Sequence, residues 1–548
     1  MQKHRFRRRF VLKKQNFIKG SIILMVSAAA AKLLGAVFKI PLTNILGGVG
    51  MSYFSCAYSL FMPVYALTVT GLSSAIARMT AQSAALGMYE NAAKVRRTAL
   101  MLFSLAGLLG SGIIFLLAKP FSAYSIDSPE AAAAVAMIAP AVFFGCITAV
   151  ERGYYEGMSN MYPTAVSQVI EGAVKAAAGL LLCGYVMNEP HIVTRYFPYI
   201  TDIRAAAAAA GILGVTLSTA GAALYFAVIR LFSGTPKGGE KYTLSRCEIV
   251  RELVATAFPV GISALVTNLT ALIDMWTVIG CISYFDSGIN APDGISQSEL
   301  PHFIYGSFAG IALTVFNLVP SVTNMLGKGA LTCITAAYES KDRAALENGT
   351  RQALITSMIM AVPAAVGIGV LAPEVLALLY PRQTDEAAIC VSALRWLMPG
   401  MVCLCVSYPL FSMLQAVGKA SAPLKIMLMG TGVKLAGNLA AIPFMGVDGA
   451  ALSTSLCYGL ILFVSLKTYL KAADVRISPV LFGKVLYSGA MCGGAAYLVS
   501  SAAEKMGASA MTVMILSAAA GGVVYLGLLT VFALTAGSST IVTFSEKA

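Results

Sequence analysis

Apolar residues run along this chain in long blocks separated by short stretches rich in charge, Pro or Gly. The blocks lie at roughly 20–46, 51–76, 98–118, 131–150, 163–187, 205–230 and 250–280. They continue at roughly 301–325, 351–372, 387–416, 423–445, 447–466, 479–502 and 508–536. About 20 apolar residues cross the hydrocarbon layer of a bilayer as a helix. Strand-like alternation with period two is absent, so the pattern predicts helices rather than an outer-membrane barrel. Lipid offers backbone N–H and C=O groups no water, and a helix satisfies them internally. The expected fold is an all-α integral membrane protein with fourteen transmembrane helices.

Composition agrees. Of 548 residues, 58% are hydrophobic and only 12% charged, with mean hydropathy +0.77. An ordinary soluble domain carries about 25% charged residues. The eleven cysteines are scattered through apolar runs without a CxxC pair, which reads as buried thiols. His4, His191 and His302 share no motif, so a resident metal has no support. Residues 1–19 carry eight Lys and Arg, and the apolar run behind them continues to about Gly47 without a small-residue cleavage pattern. That run is expected to be a retained first helix.

Charge then sets the orientation. With the N-terminus inside, 29 of the 39 Lys and Arg residues fall on the cytoplasmic side and five outside. Five remain at membrane depth: Lys32, Lys39, Lys175, Arg395 and Lys434. The net charge of +14 is therefore a topology signal that also suits anionic headgroups, not a footprint for nucleic acid. Both termini are expected in the cytoplasm, in the plasma membrane, and the protein is expected to be a monomer.

The chain also echoes itself. "LTVTGLSSAIARM" (67–79) resembles "LTVFNLVPSVTNM" (313–325) at an offset of 246 residues. "AVKAAAG" (173–179) resembles "GVKLAGN" (432–438) at 259, aligning Lys175 with Lys434. Pro140 and Pro399 are 259 apart, and Pro163 and Pro423 are 260 apart. Two copies of a six-helix unit follow, with the repeat axis along the membrane normal because six is even. The expected division is a basic tail (1–19), an N-lobe (20–232), a linker (233–249), a C-lobe (250–470) and a C-terminal helix pair with its tail (471–548).

Ionisable groups at membrane depth carry the candidate chemistry. A charge near the bilayer centre costs at least about 2.5–3.5 kcal/mol on insertion scales, which makes it a functional candidate. Glu171 and Lys175 are four apart on one helix and share a face, so they are expected to pair. Two readings stand: a clamp between helices, or the wall of a water-filled cavity for a charged solute or coupling ion. Lys32 and Lys39 are seven apart on one face, as are Thr267, Thr270 and Asp274 in "TNLTALIDMW". Asn317, Ser321 and Asn324 share another face, and Lys434 and Asn438 are one turn apart. Lys32, Lys39, Lys175 and Lys434, with Arg78 at the mouth, outnumber Glu171 and Asp274. A cationic chamber suits an anionic, phosphate-bearing solute, whereas an exporter of organic cations would want the reverse. Pro and Gly in "FKIPLTNILGG", "FMPVYALTVTG", "FPVGIS" and "LVPSVT" permit bending.

"ERGYYEGMSNMYPTAVSQVIEGAVKAAAG" (151–179) resembles the segment linking the fourth and fifth helices in the stage V sporulation protein B family of polysaccharide-biosynthesis proteins. "KLLGAVFKIPLTNILGGVGMSYFSCAY" (32–58) resembles its first helix and turn, and residues 414–459 its tenth-to-twelfth helix region. The wider group is the multidrug/oligosaccharidyl-lipid/polysaccharide (MOP) flippase superfamily, which includes lipid II flippases. The resemblance implies two pseudo-symmetric six-helix lobes around a central cavity that alternates between inward-open and outward-open states. The two C-terminal helices are then expected to form a groove for a lipid tail. It also implies basic cavity residues that meet a pyrophosphate-sugar headgroup, with Lys32 and Lys39 matching by position. Where the family often has Arg, this chain has Lys175, a point charge without guanidinium's fork; Glu156 and Gly172 stand where Gln is frequent.

Three functions compete. The leading expectation is a flippase, not an enzyme, carrying an undecaprenyl-pyrophosphate-linked cell-wall precursor such as lipid II to the outer leaflet. Lys32, Lys39, Arg78, Lys175, Lys434 and Asn438 would meet substrate; Glu171 and Asp274 would couple to Na+ or H+. No resident cofactor is expected. The second is an ion-coupled small-molecule exporter of the same fold. The third, a membrane glycosyltransferase, would need outer-loop carboxylates such as Asp286, Asp293 and Glu299.

Overall fold

The computed structural model describes residues 17–125, 127–191, 202–232, 244–285, 292, 295–419, 421–475 and 479–535. The basic tail as far as residue 16, residues 233–243 of the linker, Asp286, Asp293 and the chain beyond 535 lie outside the described residues. Each of the fourteen predicted blocks is helical over most of its described residues. By length and apolarity alone, eleven helices can cross a membrane, or twelve with the bent pair Gln297–Phe316 and Leu318–Asn324 counted as one. The first two blocks form one run in that count, and the helix over the 479–502 block falls outside it. The first two are nevertheless separated, because Gly47 sits at φ 66°. That left-handed conformation costs a side-chain-bearing residue about 1–2 kcal/mol, so glycine is the residue that can break the run there.

Tertiary contacts group the chain into two units. The first holds the described residues of Met1–Gly280 and Ser296–Gly310. Its helices are α1 (Phe17–Tyr65), α2 (Gly71–Ala85), α3 (Tyr89–Pro120), α4 (Ala132–Ile138), α5 (Pro140–Gly157), α6 (Tyr162–Asn188) and α7 (Ile203–Phe232). It also takes most of α8 (Arg246–Tyr284) and all of α9 (Leu300–Ser307). Leu72, Ile76, Val95, Val150, Phe226 and Leu253 belong to one apolar core. Inside that packing, Arg96 of α3 pairs with Glu151 of α5 at 2.5 Å, and its guanidinium lies 4.6 Å from the Tyr154 ring centroid. The aromatic face adds cation–π attraction to the ion pair.

The segment Ser296–Gly310 packs on α1 through small residues. A Cβ at Gly306 would collide with the backbone of Gly48 and Ser52. Apolar lipid gives helices no hydrophobic reason to associate, so close backbone approach and polar contacts hold them. Here Ser52 Oγ lies 3.2 Å from His302 Nδ1, and Ser59 Oγ lies 3.5 Å from the Tyr305 hydroxyl.

The second unit holds the described residues of Cys281–Ile295 and Ile311–Ala548. It contains α10 (Leu313–Phe316), α11 (Leu318–Glu339), α12 (Arg343–Val370), α13 (Ala372–Leu379), α14 (Thr384–Ala416) and α15 (Ala422–Met445). α16 (Val447–Ala473), α17 (Pro479–Lys505) and α18 (Ala510–Thr535) complete it. Thr350 Oγ1 and the Tyr469 hydroxyl meet at 2.7 Å, tying α12 to α16. The C-terminal pair is anchored there too: the Tyr525 hydroxyl donates to the Ile359 carbonyl at 3.2 Å.

The repeat is visible within each unit. α5 ends at Gly157 and α14 at Ala416, 259 residues later. Both are followed by a left-handed residue at the same offset, Ser159 (φ 56°) and Gly418 (φ 78°). α6 and α15 then each begin with a residue followed by proline, at Pro163 and Pro423. Proline suits a first helical turn because its missing N–H would be unsatisfied there anyway. Lys175 and Lys434 therefore occupy matching places on matching helices.

Candidate functional site

Two ammonium groups of the first unit come together on α1 and α6. Lys39 Nζ donates to the Ala309 carbonyl at 2.9 Å. Ala309 lies in Phe308–Ala312, a single wide π-turn, a local departure from the regular helix. Thr43, one turn beyond Lys39, has its Oγ1 3.4 Å from the next carbonyl, that of Gly310. Lys175 lies over two rings, its Nζ 5.1 Å from the Phe38 centroid and 5.2 Å from that of Tyr58. Phe38 precedes Lys39, and the two lysines are near enough for their charges to repel. Among the described residues neither pairs with a carboxylate. Lys32 is exposed on the same face of α1, about 10 Å along the axis from Lys39.

The expected Glu171–Lys175 pair is not formed. Glu171 is held instead by Arg152 of α5 at 2.7 Å, and Arg152 Nε donates to Ser167 Oγ at 2.9 Å. The turn after Gly157 brings the start of α6 near the end of α5, so Arg152, five residues before that end, reaches Ser167 and Glu171. An i, i+4 argument sees only one helix, and a guanidinium on the neighbouring helix offers the stronger, fork-shaped partner. Arg152, counted by its position as a cytoplasmic cation, thus belongs to this neighbourhood. Phe38 and Tyr58 were also missed; their aromatic character was visible, their pairing with an ammonium was not.

The remaining candidates are distributed. Asp274 is buried on α8, between buried Thr270 and Thr277, and its charge bears on buried Tyr305 of α9. The Thr267 side chain lies outside the described residues. Arg78 is exposed on α2. Lys434 and Asn438 are buried one turn apart on α15, in the second unit. Asn317 spends its side-chain amide on the Leu313 carbonyl, and Ser321 its hydroxyl on the Asn317 carbonyl. Glu299, a candidate catalytic acid for the glycosyltransferase reading, is tied to Arg204 and closes a capping box with Ser296. Arg204 also binds Asp202, which accepts a hydrogen bond from the Tyr53 hydroxyl at 3.2 Å.

Comparison with known proteins places this arrangement in a family. The model for "Polysaccharide biosynthesis protein" matches residues 17–331, more than half of the chain, and the MatE model matches 307–439. Stage V sporulation protein B of Bacillus subtilis (strain 168) is 24% identical over 529 residues, 95% of this chain and 96% of that protein. Lipid II flippase MurJ of the same organism is 23% identical over 470 residues, 80% of each. Among solved structures, lipid II flippase MurJ in an inward closed conformation superposes with a TM-score of 0.66 at 14% identity, covering 95% of this chain and 99% of that one. The helices are therefore those of the MOP-type transporter fold, and the chain belongs to the polysaccharide biosynthesis protein family.

Proposed function

We propose that this protein is a flippase that moves a lipid-linked, pyrophosphate-bearing oligosaccharide precursor, lipid II in the first instance, from the cytoplasmic to the outer leaflet. The observation that carries the reading is the juxtaposition of Lys39 and Lys175 with no carboxylate paired to either among the described residues. Two like charges at membrane depth raise the free energy of the empty protein. A diphosphate that bridges them removes the repulsion and gains charge-assisted hydrogen bonds. Lys32 and Arg78 extend the basic path in the first unit, and Lys434 with Asn438 is the corresponding candidate on the second copy of the repeat. Transport is a population shift between cavity orientations, biased by Na+, H+ or the membrane potential. Glu171 and Asp274 are the coupling candidates. The matched relatives with functional names are a flippase and a sporulation protein, not enzymes, and this chain is read likewise as a transporter of the plasma membrane.

In a strain depleted of its own lipid II flippase, the wild-type chain should restore growth. Lys32→Ala, Lys39→Ala and Lys175→Ala should not, although all remain in the membrane at wild-type levels. Rescue by these variants would remove the assignment.

The MatE match over 307–439 supports a second reading, an ion-coupled exporter of small molecules. It predicts ion-dependent efflux of organic cations and no response to lipid-linked substrate. The basic balance around Lys39 and Lys175 favours the first reading.

A further inference from the structure

Apart from the lysine neighbourhood, the second unit carries a cluster that the transport reading does not use. Glu374, in the first turn of α13, is 8% exposed, and one of its carboxylate oxygens, Oε1, lies 3.0 Å from Ser500 Oγ on α17. The same Ser500 Oγ lies 3.4 Å from Oε1 of Glu504, one turn further along α17 and exposed. The other oxygen of Glu374, Oε2, is buried without a hydrogen-bond partner. Ser500 is itself buried.

This arrangement is short of protons. A serine hydroxyl donates one, yet two carboxylate oxygens stand within reach of it. Whichever it serves, the other faces the hydroxyl lone pairs, and Glu374 Oε2 still has nothing. A buried carboxylate in that condition is costly unless a positive charge is supplied. Among the described residues no Lys or Arg pairs with Glu374. The helices packed on α13 do not supply one to it. α18 carries no Lys or Arg, and the charged residues of α12, Arg343, Glu347 and Arg351, sit roughly 28 Å or more from its Val370 end. α14 brings Asp385, Glu386 and Arg395, and the last donates to the Gly369 carbonyl. On α17, Lys505 follows Glu504 and is exposed.

The geometry points to a calcium-binding site formed by Glu374, Ser500 and Glu504. Neighbouring oxygens on a cation with bonds of about 2.4 Å stand about 3.0–3.4 Å apart when they subtend about 77–90°, within the flexible geometry of calcium. The observed separations are 3.0 and 3.4 Å. Magnesium, with bonds of about 2.0–2.1 Å and octahedral angles, brings adjacent ligands to about 2.9 Å, too close for the second pair. Two carboxylates also match a divalent charge. Among the described residues no three His, Cys, Asp or Glu side chains gather, so the set is mixed: two carboxylates, one hydroxyl, and water completing the shell. Such an ion would join α13 to α17 and so fasten the C-terminal helix pair to its own unit.

The test is calorimetric titration of chelator-stripped, full-length protein in detergent with calcium chloride, alongside thermal unfolding at stepped free calcium. Saturable binding of one calcium per chain is expected, with an unfolding temperature that rises with free calcium. Glu504→Gln, at an exposed position, should weaken binding at least tenfold, and Glu374→Gln should abolish it. Magnesium should bind more weakly, and sodium should not compete at equal concentration. Absence of calcium binding, a Glu504→Gln variant that binds as the wild type does, or a site that prefers magnesium or sodium overturns the proposal.

Discussion

Lys39 shows how much a single side chain's surroundings decide. Its ammonium donates to the Ala309 carbonyl within the π-turn at Phe308–Ala312, while its sequence neighbour Phe38 presents a ring to Lys175. A charge-assisted hydrogen bond is worth about 1.5–3 kcal/mol, which corresponds to a tenfold or greater change in affinity. Lys175→Ala should therefore weaken binding of a pyrophosphate lipid to the detergent-solubilised protein by at least tenfold, whereas Lys175→Arg should retain it. Titration of a labelled pyrophosphate lipid measures both. Glu171 makes a different prediction. Because its partner is Arg152 rather than Lys175, Arg152→Ala and Glu171→Ala should show coupling in a double-mutant cycle of unfolding temperatures, while Lys175→Ala and Glu171→Ala should be additive.

Between elements, packing in this protein relies on ion pairs and on small residues, as expected where lipid is as apolar as the helices. The Arg96–Glu151 pair joins α3 to α5 with its side chains 9% and 3% exposed. Removing one partner strands a buried charge and costs about 3–5 kcal/mol, while replacing both with apolar residues of similar volume is often neutral or better. Arg96→Met should lower the unfolding temperature sharply, and Arg96→Met with Glu151→Leu should restore most of it. Gly306 makes the complementary case. A methyl group there meets the backbone of Gly48, which cannot shift as a side chain can, so Gly306→Ala should destabilise by about 1–3 kcal/mol and loosen α9 from α1. Thermal unfolding and limited proteolysis of the purified protein would register both effects. The helices themselves were legible in sequence, because twenty-residue apolar blocks have no other solution in lipid. So was the repeat, whose weak matches at 259 residues became the turns at Ser159 and Gly418. What pattern could not provide was the partner of each charge. Glu171 found Arg152 across a turn, and Glu374 met Ser500 from a residue 126 positions away.

For the whole molecule, a chain of 548 residues with 12% charged side chains belongs in the membrane. The polysaccharide biosynthesis family and the transporter fold agree with that reading. The basic balance that topology alone explains in the loops needs another cause at membrane depth, and the proposed anionic headgroup would provide it. If movement is biased by potential, a charged cargo responds by about 2.3 kcal/mol per elementary charge per 100 mV, so an imposed gradient should change the flipping rate in a direction that reverses with its sign. The central claim is tested most directly by reconstituting the purified protein into liposomes that carry labelled lipid II and following how much label is accessible in each leaflet. The account predicts exchange between leaflets well above that of protein-free liposomes, abolished by combined Lys39→Ala and Lys175→Ala at equal protein content. Label that redistributes no faster than without protein, or as fast with the double variant as with the wild type, would contradict it.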